Sequence, residues 1–223
     1  MNKYLRLFRL GNAVLGFAAV FIGAFIAVGT DIGQHIPQLL LGCVIVLSFI
    51  AGGNALNDYV DCEIDKTAHP NRPVPMGEIS PRTAYRCGIG GLIIAIVCSV
   101  FYLDIICFAI VLIACILMVA YETCLKQRGF IGNVTIAVLT GMVFLLTAAI
   151  VGDVLANAVV AMLAAIVSIG REIAKDIEDM ESDRGQRVTL PMSIGIRKAG
   201  IIASFCLVLG PVLSVIPLLT HQL

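Results

Sequence analysis

Six aspartates of this sequence fall into two triplets with the same spacing, D-x-x-D-x-x-x-D. The members are Asp58, Asp61 and Asp65 in the first triplet and Asp176, Asp179 and Asp183 in the second. Because steps of three and four residues return to the same face of a helix, each triplet is predicted to place its carboxylates side by side. Like charges in such a stripe repel one another, which favours a bound counter-ion. Mg²⁺ prefers oxygen ligands and is often held by carboxylates together with substrate phosphates, so the pattern predicts metal-assisted phosphate chemistry.

Both triplets have similar neighbours in the sequence. A basic residue follows each one directly, Lys66 or Arg184, and a Pro-Met turn is predicted soon afterwards at 75–77 and 191–192. For one triplet alone, a solvated helix end beside a membrane would be a sufficient explanation. Two triplets of identical spacing in equivalent places favour the metal site.

The elements that carry these residues are predicted to be transmembrane helices. Hydrophobic residues make up 59% of the 223 residues and charged residues only 13%, with a mean hydropathy of +0.99. Since a soluble domain carries about 25% charged residues, this composition excludes an ordinary soluble enzyme, a disordered chain and a basic nucleic-acid-binding protein. Seven apolar runs approach the roughly 20 residues that cross a bilayer. They are 15–28, 36–56, 87–103, 105–120, 130–151, 154–169 and 200–219.

The segment 87–120 is too long for one crossing at about 1.5 Å per residue. Its single charged residue after Arg86, Asp104, lies near the middle. We therefore expect two helices joined by a tight turn at Asp104.

The charged residues sort to the two sides of these runs. All fifteen basic residues fall in the N-terminal segment or in the loops after the second, fourth and sixth runs, although the formal net charge is zero. The other side receives only Asp31, Asp104 and Asp153. Short loops rich in Lys and Arg stay in the cytoplasm. The sequence thus predicts a multi-pass protein of the cell membrane whose N-terminus and active site face the cytoplasm.

Several basic residues lie close to the triplets. Arg72 follows the first triplet, Lys126 ends the stretch 121–126, and Arg171 and Lys175 precede the second triplet. Cations among carboxylates at a membrane boundary suit a substrate with a polyanionic head and an apolar tail. Interfacial anchoring is the alternative role, and it is preferred for Arg82 and Arg86. Simple topology signals are expected at Arg6, Arg9, Arg128, Arg197 and Lys198.

Four stretches carry a family resemblance. They are Asn57-Asp58-x-x-Asp61-x-x-x-Asp65, Asn71-Arg72-Pro73, residues 121–126, and Asp176-x-x-Asp179-x-x-x-Asp183 leading to Thr189-Leu190-Pro191. In these residues the sequence resembles the UbiA-type superfamily of intramembrane prenyltransferases. The resemblance implies one all-α domain over 1–223, a polytopic bundle of two pseudo-repeated four-helix halves around a central cavity.

The resemblance also implies roles for individual residues. In that superfamily the aspartate motifs hold two Mg²⁺ ions that bind an isoprenyl diphosphate. The implied metal ligands are Asp58, Asp61, Asp65, Asp176, Asp179 and Asp183. The implied catalytic residues are Asp61, Asp179, Lys126 and Tyr121, with Tyr121 lining the site of an allylic cation. The implied substrate-binding residues are Asn12, Asn57, Arg72, Lys126, Arg171 and Lys175, with Asn12 facing the central cavity. A metal-clamped diphosphate is a good leaving group, and an apolar cavity protects a carbocation from water.

Within the superfamily, four short phrases are most similar to an archaeal branch. They are Asn57-Asp58-Tyr59 with Glu63-Ile64-Asp65-Lys66, Pro70-Asn71-Arg72-Pro73, Gly132-Asn133, and Arg171-Glu172-Ile173 with Lys175-Asp176-Ile177-Glu178-Asp179. That branch transfers a geranylgeranyl group to the free hydroxyl of geranylgeranylglyceryl phosphate and forms an ether in archaeal membrane lipid. The implied partners are an isoprenyl diphosphate, a lipid acceptor and the surrounding membrane lipid, with no nucleic acid and no obligatory protein partner.

Several other functions are alternatives to this one. The acceptor could instead be a 4-hydroxybenzoate-like or naphthoate-like aromatic of quinone synthesis, or haem. A cation-coupled transporter would place its carboxylates near the bilayer midplane, whereas these triplets lie at one boundary. A non-catalytic lipid-binding protein is a further alternative. The D-G-x-x-A-R opening of CDP-alcohol phosphotransferases is absent from both triplets.

The number of runs departs from the superfamily pattern. Seven apolar runs are present, whereas the superfamily commonly has about eight or nine spans. We therefore expect either a chain shortened at its C-terminus or a short natural form, in which the wall around the prenyl tail is incomplete.

Overall fold

The computed structural model describes residues 2–183, 185 and 188–214, and every regular element in that range is a helix. The α-helices are α1 (Lys3–Leu7), α2 (Leu10–Val28), α3 (Ile36–Val60), α4 (Asp65–Ala68), α5 (Pro81–Tyr102), α6 (Ile105–Ala120), α7 (Phe130–Ile150), α8 (Ala158–Glu178), α9 (Met180–Asp183), α10 (Leu190–Ile194) and α11 (Ile196–Ser214). A 3₁₀ segment covers Gly29–His35 and a π-helical segment covers Tyr121–Leu125. The all-α prediction is confirmed for this range. Arg184, Arg187 and positions 215–219 of the last apolar run lie outside it.

Each predicted apolar run overlaps one long helix, namely α2, α3, α5, α6, α7, α8 or α11. By length and composition, five segments of the described residues could cross a membrane. They are Leu10–Val60, Pro81–Phe101, Ile105–Leu125, Phe130–Ile150 and Ile196–Ser214. The first is 51 residues long and contains both α2 and α3. Helix α8 is not among the five because charged residues crowd its C-terminal half. The multi-pass architecture is supported, while the count of seven spans stays a prediction.

The chain divides into two compact units. One comprises Met1–Glu122 with Val143–Asn157, and the other comprises Thr123–Met142 with Ala158–Leu223. A single domain over 1–223 and a repeat of four-helix halves stay predictions.

In the first unit, α2 and α3 form an antiparallel hairpin. The chain reverses after Gly29, whose φ of +57° lies in the region that glycine tolerates best. A Cβ built on Gly16 would lie 3.1 Å from Val46 Cγ1 of α3, and one on Gly42 would lie 2.7 Å from Ile150 Cδ1 of α7. Glycines at these positions allow close packing of the helices.

Helices α3 and α5 approach one another through their backbones. A Cβ on Gly91 would lie 2.6 Å from the Ser48 carbonyl oxygen, and one on Gly52 would lie 2.9 Å from the Gly88 carbonyl oxygen. Larger residues would force the helices apart. This contact fixes the end of α3, which carries the first aspartate triplet.

The tight turn predicted at Asp104 is confirmed. Helix α5 ends at Tyr102 and α6 begins at Ile105. Asp104 is the N-cap of α6, and its Oδ1 accepts a 2.8 Å hydrogen bond from the Cys107 backbone N–H. A side-chain cap of this kind satisfies one of the free N–H groups at a helix start.

In the second unit, α8 packs against α11 around Ile173, Ala199 and Ala203. A Cβ on Gly170 would lie 2.8 Å from the Ala203 carbonyl oxygen, so the helices again meet through small residues. The predicted turn at 191–192 is wrong. Pro191 instead lies in the first turn of α10, where proline is well tolerated because its missing N–H has no helical partner. The predicted turn at 75–77 is confirmed, with Gly77 at a φ of +73°.

Candidate functional site

The first aspartate triplet lies across the end of α3. Asp58 is in the last turn of α3, Asp61 follows the helix at φ −87° and ψ 9°, and Asp65 begins α4. Backbone hydrogen bonds continue through the break, from Asp61 N–H to Asn57 O at 2.9 Å and from Asp65 N–H to Asp61 O at 2.8 Å. The triplet is therefore not part of one continuous helix, although each step keeps the hydrogen-bond spacing of a helical turn.

The second triplet repeats this local geometry in the other unit. Asp176 is in the last turn of α8, Asp179 separates α8 from α9, and Asp183 ends α9. Asp179 N–H bonds to Lys175 O and Asp183 N–H bonds to Asp179 O, each at 2.9 Å. The repeat read from the sequence is thus also a repeat of backbone structure.

Burial within the two triplets follows the same order. The outer members are buried, with exposed fractions of 1% for both Asp58 and Asp65 and of 8% and 6% for Asp176 and Asp183. The middle members, Asp61 and Asp179, are half-buried. The middle carboxylates are therefore the more accessible ones.

Arg72 joins the two buried ends of the first triplet. Its Nη1 lies 2.5 Å from Asp65 Oδ2 and 3.7 Å from Asp58 Oδ1. Arg72 therefore lies beside the carboxylates of the first triplet, and its substrate-binding role stays a prediction.

Arg9, which the sequence reading treats as a topology signal, lies at the same site. Its Nη2 donates hydrogen bonds of 2.7 Å to Asn57 Oδ1 and 2.9 Å to Asp58 Oδ1. The topology-only interpretation of Arg9 is therefore incomplete. Arg9 is also the one non-glycine residue of the described chain with a positive φ, at +51°. A left-handed backbone costs an ordinary residue roughly 1–2 kcal/mol, and strain of this kind often occurs at functional sites.

Asn57 links these side chains to Glu122, the second residue for which the sequence predicts no role at the site. Its Nδ2 donates to Asp61 Oδ2 at 3.2 Å and to Glu122 Oε1 at 3.3 Å. Glu122 is buried and belongs to the π-helical segment Tyr121–Leu125 that continues α6. Single π-helical turns inside α-helices often mark functional sites. The π-helical segment also places Tyr121 at its start and Lys126 directly after its end.

Helix α1 holds the loop that carries Arg72. Arg6 Nη1 bonds to both carboxylate oxygens of Glu78 at 3.0 Å, and its Nη2 bonds to the Asn71 carbonyl oxygen. Leu7 is fully buried in the hydrophobic cluster that includes Val74 of the same loop. Arg6 therefore has a structural contact in addition to the topology role expected of it.

A cavity of about 660 Å³ opens beside the first triplet. Its polar lining includes Arg9, Asn12, Asp58, Asn71 and Arg72. Asn12 thus shares a cavity with Asp58 of the first triplet. Its position at a central cavity stays a prediction.

The second triplet has its own buried partner. Asn133 of α7 donates a 2.9 Å hydrogen bond from Nδ2 to Asp176 Oδ2. Both side chains are buried. Arg171 and Lys175 are exposed, and Arg171 pairs with the adjacent Glu172 at 2.6 Å. Their substrate-binding roles stay predictions.

Arg9, Glu122 and Asn133 are the site residues that the sequence reading misses. The signals for Glu122 and Asn133 were present, since both lie within motif stretches that carry the family resemblance. No local pattern marks Arg9, because its contact depends on a strained backbone and on a partner 49 residues away.

The donor set of the first triplet suits a hard divalent cation. It offers three aspartate carboxylates and, from Asn57 and Glu122, further oxygen atoms, the ligands that Mg²⁺ prefers. Across the described part of the chain, no three His, Cys, Asp or Glu side chains are already arranged to hold a metal. Arg9 and Arg72 instead compensate the buried carboxylates of Asp58 and Asp65. The residues therefore fit a metal by donor chemistry.

Comparison with known proteins places the chain in a family. The sequence profile of the UbiA prenyltransferase family matches residues 15–223. The digeranylgeranylglyceryl phosphate synthase of Methanothermobacter thermautotrophicus is 37% identical over 212 residues, which cover 93% of this chain and 73% of that protein. The synthase of the same name from Methanoculleus marisnigri is 38% identical, over 92% of this chain and 73% of that protein.

Two solved structures are also similar to this chain. A structure of digeranylgeranylglyceryl phosphate synthase in membranes superposes with a TM-score of 0.79 at 32% identity, covering 98% of this chain and 77% of that chain. A UbiA homologue from Archaeoglobus fulgidus bound to DMAPP and Mg²⁺ shares the fold with a TM-score of 0.69 at 21% identity, covering 94% and 76% of the two chains. The chain is an enzyme with transmembrane helices, and it belongs to the UbiA prenyltransferase family.

Proposed function

We propose that this prenyltransferase transfers a geranylgeranyl group from its diphosphate to the free hydroxyl of geranylgeranylglyceryl phosphate, forming an ether of archaeal membrane lipid. Relatives that carry the name of that synthase cover more than nine-tenths of the chain at 37–38% identity. The single structural observation that supports it best is the buried carboxylate–guanidinium network of Asp58, Asp65, Arg9 and Arg72. Such a network is suited to binding a highly charged ligand in a protein whose composition is otherwise apolar.

The two triplets supply the metal ligands in this proposal. Asp58, Asp61 and Asp65 would hold one Mg²⁺, and Asp176, Asp179 and Asp183 would hold a second. When bound, the ions offset the negative charge of the departing diphosphate. The Archaeoglobus homologue, whose structure is described as bound to DMAPP and Mg²⁺, supports this metal choice by analogy.

The other residues bind and orient the substrates. Arg72 and Lys126 contact the phosphates of the donor, and Arg171 and Lys175 add positive charge near the second triplet. Tyr121 lies beside the allylic carbon. Asn12 and Asn57 fix the polar end of the site, with Asn57 already bonded to Asp61.

The reaction breaks the bond between the allylic carbon and the diphosphate oxygen, and the diphosphate leaves with the electron pair. The glycerol hydroxyl oxygen then attacks that carbon and its proton is released, which completes the ether. Apolar helices around the reacting carbon exclude water, which would otherwise capture the carbocation. The distribution of Lys and Arg supports a site that opens to the cytoplasmic side of the cell membrane.

Acceptor discrimination tests the proposal. Purified protein with Mg²⁺ and geranylgeranyl diphosphate should convert geranylgeranylglyceryl phosphate to the diether, measured by mass spectrometry of the lipid product. The comparison arms contain 4-hydroxybenzoate or a hydroxynaphthoate as acceptor. Turnover of an aromatic acceptor without turnover of the glyceryl phosphate would overturn the lipid assignment in favour of quinone synthesis.

A further inference from the structure

The cavity beside the first triplet has an amphiphilic lining. Its polar side includes Arg9 and Asn12, and its apolar side includes Leu5, Leu10 and Val14. The three apolar side chains are exposed, with exposed fractions of 43%, 46% and 60%. A volume of about 660 Å³ is sufficient for a small polar head group and the start of a hydrocarbon chain.

The guanidinium of Arg9 has hydrogen-bonding capacity left for a ligand. Both hydrogen bonds that it makes to described residues leave from Nη2, to Asn57 and Asp58. A guanidinium has five N–H donors, so the N–H groups of Nε and Nη1 can each donate to an anion while Nη2 stays anchored. Each of these donors can make a charge-assisted hydrogen bond to a phosphate oxygen, which is a preferred partner of arginine.

The backbone conformation of Arg9 is a further indication that its position is functional. Its φ of +51° and ψ of 72° lie in the left-handed region, directly between α1 and α2. Asparagine or glycine occupies such positions at lower cost than arginine. Arg6, by contrast, donates hydrogen bonds from both of its terminal nitrogens to the loop 71–78. Its guanidinium therefore stabilises that loop.

We propose that this cavity binds the phosphate of the acceptor lipid, with Arg9 and Asn12 as its polar contacts and with Leu5, Leu10 and Val14 along the isoprenoid chain. The lipid identity rests on the proposed function. The donor is assigned to the aspartate triplets, Arg72 and Lys126. Because Asp58 and Arg72 also line this cavity, the acceptor would lie beside the donor, with Arg9 as the cation for the acceptor phosphate.

The chemistry of the acceptor supports this location. Its free hydroxyl is on the glycerol carbon next to the one that bears the phosphate. A phosphate held by Arg9 would therefore keep the hydroxyl close to Asp58, which Arg9 contacts at 2.9 Å. Binding of the phosphate by Arg9 would position the attacking hydroxyl, so the aspartate carboxylates need not bind that hydroxyl.

The first experiment measures binding alone. Full-length protein in detergent is titrated by calorimetry with geranylgeranylglyceryl phosphate, with geranylgeranylglycerol and with glycerol 1-phosphate, in the absence of donor. We expect the phosphate to strengthen binding of the lipid by about tenfold or more, and we expect glycerol 1-phosphate to bind far more weakly than the lipid. Arg9→Gln should remove the difference between the lipid and its dephosphorylated form.

Control variants separate binding from folding. Arg86→Gln removes the same charge from an exposed position outside the cavity and should keep the phosphate preference. Arg9→Gly tolerates the left-handed backbone, so it should fold and still lose the preference, whereas Arg9→Lys should retain part of it. A phosphate preference that survives in Arg9→Gly, or equal binding of glycerol 1-phosphate and the lipid, would overturn the proposal.

A second experiment separates this proposal from the proposed function. In steady-state turnover, Arg9→Gln should raise the KM of the acceptor about tenfold or more and leave the KM of the diphosphate donor within about twofold. A rise confined to the donor KM would assign Arg9 to the diphosphate and overturn the subsite. Absence of turnover by the wild-type protein would count against the proposed function only, because the binding titration decides the subsite independently.

Discussion

The guanidinium of Arg72 lies 2.5 Å from the carboxylate of Asp65, whose exposed fraction is only 1%. The two residues are seven positions apart, and Arg72 also reaches Asp58 at the opposite end of the same triplet. One arginine from a loop therefore holds the ends of the motif. Removing it would leave buried negative charge without its nearest cation.

We predict that Arg72→Met destabilises the protein by about 3–5 kcal/mol, the usual cost of breaking a buried ion pair. Thermal unfolding in detergent would measure the loss. Lys66→Met is the matched control, since Lys66 pairs with exposed Glu63 in an adjacent stretch, and it should leave the melting temperature unchanged. Asp65→Leu in the Arg72→Met background should recover most of the stability. Equal melting temperatures for Arg72→Met and Lys66→Met would contradict this role of Arg72.

The middle aspartates are predicted to be essential for turnover and dispensable for folding. Asp61→Asn and Asp179→Asn should each abolish prenyl transfer, because these half-buried carboxylates are the most accessible metal ligands of their triplets. Both variants should still insert into membranes and unfold cooperatively. Glu63→Gln, an exposed carboxylate between Asp61 and Asp65, should keep normal activity. Near-normal activity of both aspartate variants would exclude the two-metal mechanism.

Metal dependence can be measured directly. Chelation with EDTA should abolish turnover, and added Mg²⁺ should restore it. Turnover that persists after chelation and dialysis would argue against a divalent cation.

Asn133 is predicted to position Asp176. Asn133→Ala removes the 2.9 Å hydrogen bond to Asp176 Oδ2, at an expected cost of about 1–3 kcal/mol for a buried group left without its partner. We also expect a rise in the Mg²⁺ concentration needed for half-maximal activity. Thr135→Val is the control, because this buried hydroxyl on the same helix bonds, among the described residues, only to the Ile131 carbonyl oxygen. If both variants show the same Mg²⁺ dependence, Asn133 has a structural role alone.

The crossing of α3 and α5 offers a matched pair of glycine substitutions. Gly91→Ala would place a Cβ 2.6 Å from the Ser48 carbonyl oxygen, whereas a Cβ on Gly90 would meet no atom within 4 Å. We predict that Gly91→Ala lowers stability by about 1–3 kcal/mol through overpacking, and that Gly90→Ala raises it by about 0.5–1 kcal/mol through helix propensity. Thermal unfolding of both variants in the same detergent would test the prediction. A stable Gly91→Ala protein would show that the helices can separate without cost.

Local features of the sequence predicted most of the secondary structure. The apolar runs were predictable as helices because hydropathy is a property of consecutive residues. The turn at Asp104 forms because aspartate caps the helix that follows it. The local prediction is wrong at 191–192, where the Pro-Met pair favours a turn. Proline is equally suited to the first turn of a helix, and α10 begins there.

The sequence by itself determined the two triplets, their common spacing and the apolar helices that carry them, because spacing, capping and hydropathy act between neighbours along the chain. Only the tertiary structure decided that Arg9 contacts Asp58 and that Asn133 contacts Asp176. These pairs are separated by 49 and 43 residues. Their contacts depend on how the helices pack and, for Arg9, on a left-handed backbone conformation that no local pattern encodes.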